Sequence, residues 1–189
     1  MRKLGLMLIL SLVAVNSYSL DIGGISLPDT METKDHQKLV LNGAGIREKW
    51  FMDLYVGALY LTAPQSDSEK VVAADEPMTI RLHIISGMIT SKKLTEATQE
   101  GFENSTHGNA EPILKEVNEM LHAFKEPIKN GDVFDFVYLP EEGVSIYKNN
   151  HEIRTIPCDG VFKEALFGIW LSDQPAQKSL KQDMMGSNS

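Results

Sequence analysis

LVLNGAGIREKWFMDLYVGALYLT, residues 39–62, decides how the rest of the chain is read. It holds two extended runs. Leu39-Val40-Leu41 opens the first, and Asn42-Gly43-Ala44-Gly45 then permits a bulge or a close approach of the backbone. This Gly-x-Gly turn delivers Arg47. Glu48-Lys49 is read as the hairpin tip, and residues 51–61 as a second strand rich in aromatic and aliphatic side chains. In that strand Tyr55, Gly57, Leu59 and Leu61 share one face, and Leu54, Val56, Ala58 and Tyr60 the other. Both faces are mostly apolar, so the strand is expected to be covered on both sides. Arg47 lies between apolar runs, where a guanidinium is costly to place without an anionic partner. It is therefore read as facing a ligand; pairing with Glu48 or Asp53 at a hairpin edge is the alternative. A dinucleotide site is excluded, because a charged run replaces the third glycine and no helix pattern follows.

Residues 1–19 read as an address. Arg2 and Lys3 precede an apolar run over residues 4–15, too short for a comfortable membrane span, and Ser17-Tyr18-Ser19 offers small residues for cleavage. Cleavage is expected after Ser19, which leaves a periplasmic or secreted domain over residues 20–186 with no stable membrane anchor. Loss of Arg2 and Lys3 leaves 16 basic against 26 acidic groups, a net charge near −10. That balance disfavours nucleic acid and anionic membranes as partners. Cys158 is the one cysteine, so no intrachain disulfide helps the core. His36, His83, His107, His122 and His151 show no metal-ligand spacing, and neither a metal site nor a cofactor is expected. Asn104-Ser105-Thr106 matches a glycosylation acceptor, and no Gly-x-Ser-x-Gly nucleophile motif is present.

Along the chain, residues 20–27 read as an edge strand and residues 32–37 as a polar connection. After Pro64, Ser66 or Ser68 caps a short helix through Ala74. Residues 78–85 alternate as a strand. Thr90 or Ser91 caps a helix through about Phe102, and Asn109 opens an amphipathic one carrying Ile113, Leu114, Val117, Met120, Leu121 and Phe124. Residues 133–139, 143–147 and 152–156 are strands, the last two joined by an Asn149-Asn150 turn. Asp159 caps a helix over residues 160–171, and Pro175 opens a last one through about Met185. The plan is α+β, with helices packed on one face of an antiparallel sheet.

Asn42-Gly43-Ala44-Gly45-Ile46-Arg47 and Leu54-Tyr55-Val56-Gly57-Ala58-Leu59-Tyr60-Leu61 resemble the chalcone isomerase-like family. So do Gly87-Met88-Ile89-Thr90-Ser91-Lys92-Lys93-Leu94-Thr95-Glu96, the turn over residues 129–132, and Phe162-Lys163-Glu164-Ala165-Leu166-Phe167-Gly168-Ile169-Trp170-Leu171. The similarity covers nearly the whole mature chain and is similar to the bacterial branch. It implies an open-faced β-sandwich with a ligand cleft between sheet and helices. In the plant isomerases the arginine that matches Arg47 polarises a substrate oxygen; in fatty-acid-binding relatives it holds a carboxylate together with a strand tyrosine. A guanidinium suits either oxyanion. The resemblance places Tyr55 at that hydroxyl position, with Tyr60 second. The enzyme's tyrosine falls on Thr90 and its asparagine on Ala97, departures that reduce or remove two substrate contacts. Three functions follow: binding of a small amphipathic anion by Arg47, Tyr55, Tyr60 and Thr90; an intramolecular lyase or isomerase with Arg47 as electrophile; or an interaction protein without a ligand.

Overall fold

The structure, a computed structural model, describes residues 19–187. The expected export signal, apart from Ser19, lies outside the described residues. The chain begins with a small hairpin of β1 (Ser19–Ile22) and β2 (Ile25–Pro28), paired antiparallel across Gly23-Gly24. Both glycines have positive φ, so this region is two strands rather than one edge strand. β3 (Thr30–Glu32) adds a short edge that the sequence reading had not assigned, just before the polar connection.

β4 (Lys38–Lys49) and β5 (Met52–Leu61) form the longest hairpin. Gly43 and Gly45 lie inside β4, not in a turn, and the register shifts between Leu41 and Gly43. The turn itself is Trp50-Phe51, two residues beyond the expected Glu48-Lys49 tip. After α1 (Ser68–Ala73) comes β6 (Met78–Ile84), then α2 (Ser91–Ser105). Asp67, rather than either neighbouring serine, caps α1 by accepting from the Glu69 and Lys70 amides. The amphipathic stretch after Asn109 divides into a 3-10 turn at Glu111–Ile113, α3 (Leu114–Leu121) and a second 3-10 turn at His122–Phe124. β7 (Val133–Leu139), β8 (Gly143–Lys148) and β9 (His151–Ile156) complete the sheet. α4 (Gly160–Leu171) begins at the Asp159 cap, and α5 (Lys178–Met184) starts three residues after Pro175.

β3 to β9 make one seven-stranded antiparallel sheet in chain order, a meander without crossovers. Alternation sorts its side chains. Leu59, Ile80, Leu82, Phe134, Phe136 and Ile146 point to the helical side, where they join Phe102, Phe162, Leu166 and Phe167 in the main core. The other face of β4 and β5 carries Ala44, Val56, Ala58 and Tyr60, closed by Leu27 of the β1–β2 hairpin. β5 is thus covered on both sides, by helices on one and by the first hairpin on the other. Further along that second face, Arg81 and Asp135 form a bidentate pair, with Nε to Oδ1 at 2.7 Å and Nη2 to Oδ2 at 2.8 Å.

Candidate ligand site between the sheet and the last helix

Arg47 and Tyr55 are partners in the β4–β5 register, so both side chains leave the sheet on its helical face. Two helices define what surrounds them. From α4, Trp170 stacks on Phe136 with ring centroids 5.7 Å apart, and its Nε1 donates to the Tyr55 hydroxyl at 3.0 Å. Burial pushes the Tyr55 phenol up, while the Trp170 hydrogen bond and the Arg47 charge act against that rise. The phenol therefore stays neutral at ordinary pH and keeps its own proton available to an acceptor.

The approach to α5 supplies the other wall. Arg47 Nη1 donates to Gln177 Oε1 at 2.9 Å and to the Glu48 carbonyl at 2.6 Å. Gln177 Oε1 also accepts from the Glu48 amide at 2.8 Å, and its Nε2 donates to the Ile46 carbonyl at 3.2 Å. The Gln177 amide oxygen thus receives a guanidinium N–H and a backbone N–H, the donor pair that would suit a carboxylate oxygen. These Nη1 hydrogen bonds run to uncharged oxygens, and neither goes to the side chain of Glu48 or Asp53.

The glycines beside Arg47 serve helix packing. A Cβ on Gly43 would run into the Asp183 carbonyl oxygen and come within 2.8 Å of the Met184 carbonyl oxygen; one on Gly45 would stand 2.6 Å from the Asp183 Cβ. Gly57, the register partner of Gly45, faces Leu180. These three positions make a bare strip of strand on which α5 lies. Asn42 fixes the end of that helix, donating from Nδ2 to the Met184 carbonyl at 2.9 Å. The close approach expected at Gly43-Ala44-Gly45 is real, and the group that approaches is α5.

Tyr60 and Thr90 are not brought to this cluster. Tyr60 lies on the opposite face of β5, where its hydroxyl donates to the Pro28 carbonyl at 3.0 Å. Thr90 is exposed and caps α2, its Oγ1 accepting from the Lys93 amide at 3.3 Å. Ala97 is exposed on α2. Two residues join that the sequence reading had not placed, Trp170 and Gln177. Trp170 entered the sequence reading as part of the helix over residues 160–171 and of the family-like segment there, without a site role, although a buried indole N–H needs an acceptor and so signals a polar partner. Nothing local marks Gln177. Two cavities are described and both lie elsewhere. One, of about 320 Å³, opens on the second sheet face beside Arg81, His83 and Asn149. The other, of about 510 Å³, lies between Ile113, Cys158 and Val161. Among the described residues no group of three His, Cys, Asp or Glu side chains is placed to hold a metal ion.

Comparison with known proteins bears on the fold. A solved fatty-acid binding protein of Arabidopsis thaliana is similar in structure, with a TM-score of 0.73 at 17% sequence identity, over 90% of this chain and 97% of that one. No curated protein matches the sequence significantly. A family model described as chalcone isomerase-like matches residues 19–186. With the seven-stranded antiparallel sheet and its helical layer in place, the chain belongs to the chalcone isomerase-like family.

Proposed function

We propose that this chain is an exported, non-catalytic binder of a small amphipathic anion of the fatty-acid type. The carboxylate would sit on Arg47 and Tyr55, with the acyl chain between sheet and helices. One observation carries the reading: the register pair puts a guanidinium beside a neutral phenol, and the acceptor position shared by that guanidinium and the Glu48 amide is held by the neutral Gln177 side chain. A charged oxygen competes well for such a place, since hydrogen bonds to ionised acceptors are about twice as strong as neutral ones. The shared fold with a plant fatty-acid binding protein supports it. Entry requires Gln177, and with it the start of α5, to move aside. Turnover of an enone substrate draws no support from Thr90, which caps a helix, or from Ala97, which is exposed.

A second reading, an interaction protein without a ligand, is favoured by α5 filling the glycine strip. Solvent extraction of the purified protein followed by mass spectrometry separates the two. The binder yields an acyl carboxylate near one per chain, depleted in Arg47→Ala, and that substitution weakens carboxylate binding by about 1.5–3 kcal/mol. Extracts empty from both proteins, with no carboxylate affinity for Arg47 to alter, favour the second. Chalcone turnover lost in Arg47→Ala would instead make the protein an isomerase. Export is proposed from the sequence of residues 1–19 alone. N-terminal sequencing of the secreted form should read Leu20 first.

A further inference from the structure

The β4–β5 turn has no part in the ligand reading, and its chemistry is unusual. Trp50 and Phe51 are 79% and 105% exposed, and both hold left-handed backbone, at φ 52° and 64°. Two-residue hairpin turns of this form favour Asn-Gly or Asp-Gly, and a bulky side chain there is strained. Hairpin formation alone therefore gives no reason for an aromatic pair. The Lys49 ammonium stands 5.8 Å from the Trp50 ring centroid. Met88, 43% exposed, belongs to the loop at the same end of the sheet, held there by the Ile85 amide donating to the Leu54 carbonyl at 3.0 Å.

An indole, a phenyl ring, a thioether and a lysine together suit the boundary between water and hydrocarbon. The rings enter the acyl region while the ammonium stays among the headgroups. The size of the patch separates this partner from a protein. Two aromatic side chains bury at most about 500 Å², short of the roughly 800 Å² that each side of a stable protein complex contributes. The charge of −8 opposes an anionic surface and leaves a neutral one. We infer that the Trp50–Phe51 tip docks this protein on the interface of a neutral phospholipid bilayer. The inference stands whether or not Arg47 takes a carboxylate. Arg47 itself is three residues from the turn, which at strand spacing puts it about 10 Å from the docked surface.

Phosphatidylcholine vesicles test it on the full chain. Trp170 is buried, so a change in tryptophan emission reports Trp50. Vesicles should shift that emission to the blue and shield it from acrylamide. A Trp50→Asn, Phe51→Gly double variant suits the turn and should fold with a raised melting temperature. Its co-flotation with vesicles should fall by about tenfold or more, because the aromatic anchors are gone. Residues 1–18 are common to both chains, so the difference reads the tip alone. No emission change at millimolar lipid, or equal flotation of the two chains, would overturn the inference. So would lipid-free dimerisation that the double variant abolishes, which would make the tip a contact between copies.

Discussion

Gly43 has no space for a methyl group. The atoms in the way are carbonyl oxygens at the end of α5, not flexible side-chain tips, so Gly43→Ala must push the helix off the strand. Overpacking of this kind costs about 1–3 kcal/mol, and urea unfolding should show a loss at or above the top of that range. Gln177→Ala tests the neighbouring site in the opposite sense. It removes the internal acceptor for Arg47 and should tighten carboxylate binding by about 0.5–1.5 kcal/mol, read by titration calorimetry. Arg47 and Tyr55 were brought together beforehand only by the family resemblance: a Glu48-Lys49 tip would pair Arg47 with Trp50, and the register shift between Arg47 and Glu48 that sets it opposite Tyr55 leaves no mark in the alternation. Trp170 and Gln177 were not legible. Their bonds to Tyr55 and Arg47 span 115 and 130 residues, and no local pattern encodes such contacts.

At the level of elements, α1 is held to α4 by one side chain. Lys163 is 1% exposed, and its Nζ donates to the Val72 and Ala74 carbonyls at 2.6 Å and to Val71 at 3.1 Å, at the end of α1. Its ammonium also stands 5.4 Å from the Tyr138 ring centroid. Burial pulls its pKa from 10.5 down to about 8. Between those values the unfolded chain holds the proton more firmly than the native one, so this lysine's contribution to stability rises as pH climbs from 8 to 10.5. Lys163→Met should remove that rise, visible as a flatter plot of unfolding free energy against pH over the window. α4 was readable from its Asp159 cap and its apolar run. The Trp50-Phe51 turn was not, since both residue types favour strands and Phe51 was assigned to one. The need for positive φ at those positions comes from the two-residue closure of the hairpin, which residue preferences do not report.

Across the whole molecule, the helical face of the sheet is apolar apart from Arg47 near the end of β4, while the second face mixes hydrocarbon with buried charge. Asp135 is 4% exposed and bonded twice to Arg81. Asp135→Ala would leave a guanidinium without that partner in a poorly solvated place and should cost about 3–5 kcal/mol in denaturant unfolding. On the same face Tyr60 is pushed up to about 12, chiefly by burial. Its unfolded counterpart loses a proton near 10, so this stabilisation is intact below pH 10 and disappears as pH rises to 12. Alkaline titration followed by circular dichroism should find unfolding in that window, moved upward in Tyr60→Phe. The overall plan was legible because a meander with helices on one side leaves regular alternation in nearly every strand. The use of the glycine strip was hidden, because small residues mark a close approach without naming what arrives.

Synthesis order gives that strip a consequence. β4 emerges early, yet the backbone it bares at Gly43 and Gly45 is covered only by α5, more than 130 residues downstream. A nascent chain therefore carries an uncapped seam until its final helix clears the ribosome or the export channel, and premature stops before Lys178 should yield material that clumps rather than a shorter working protein.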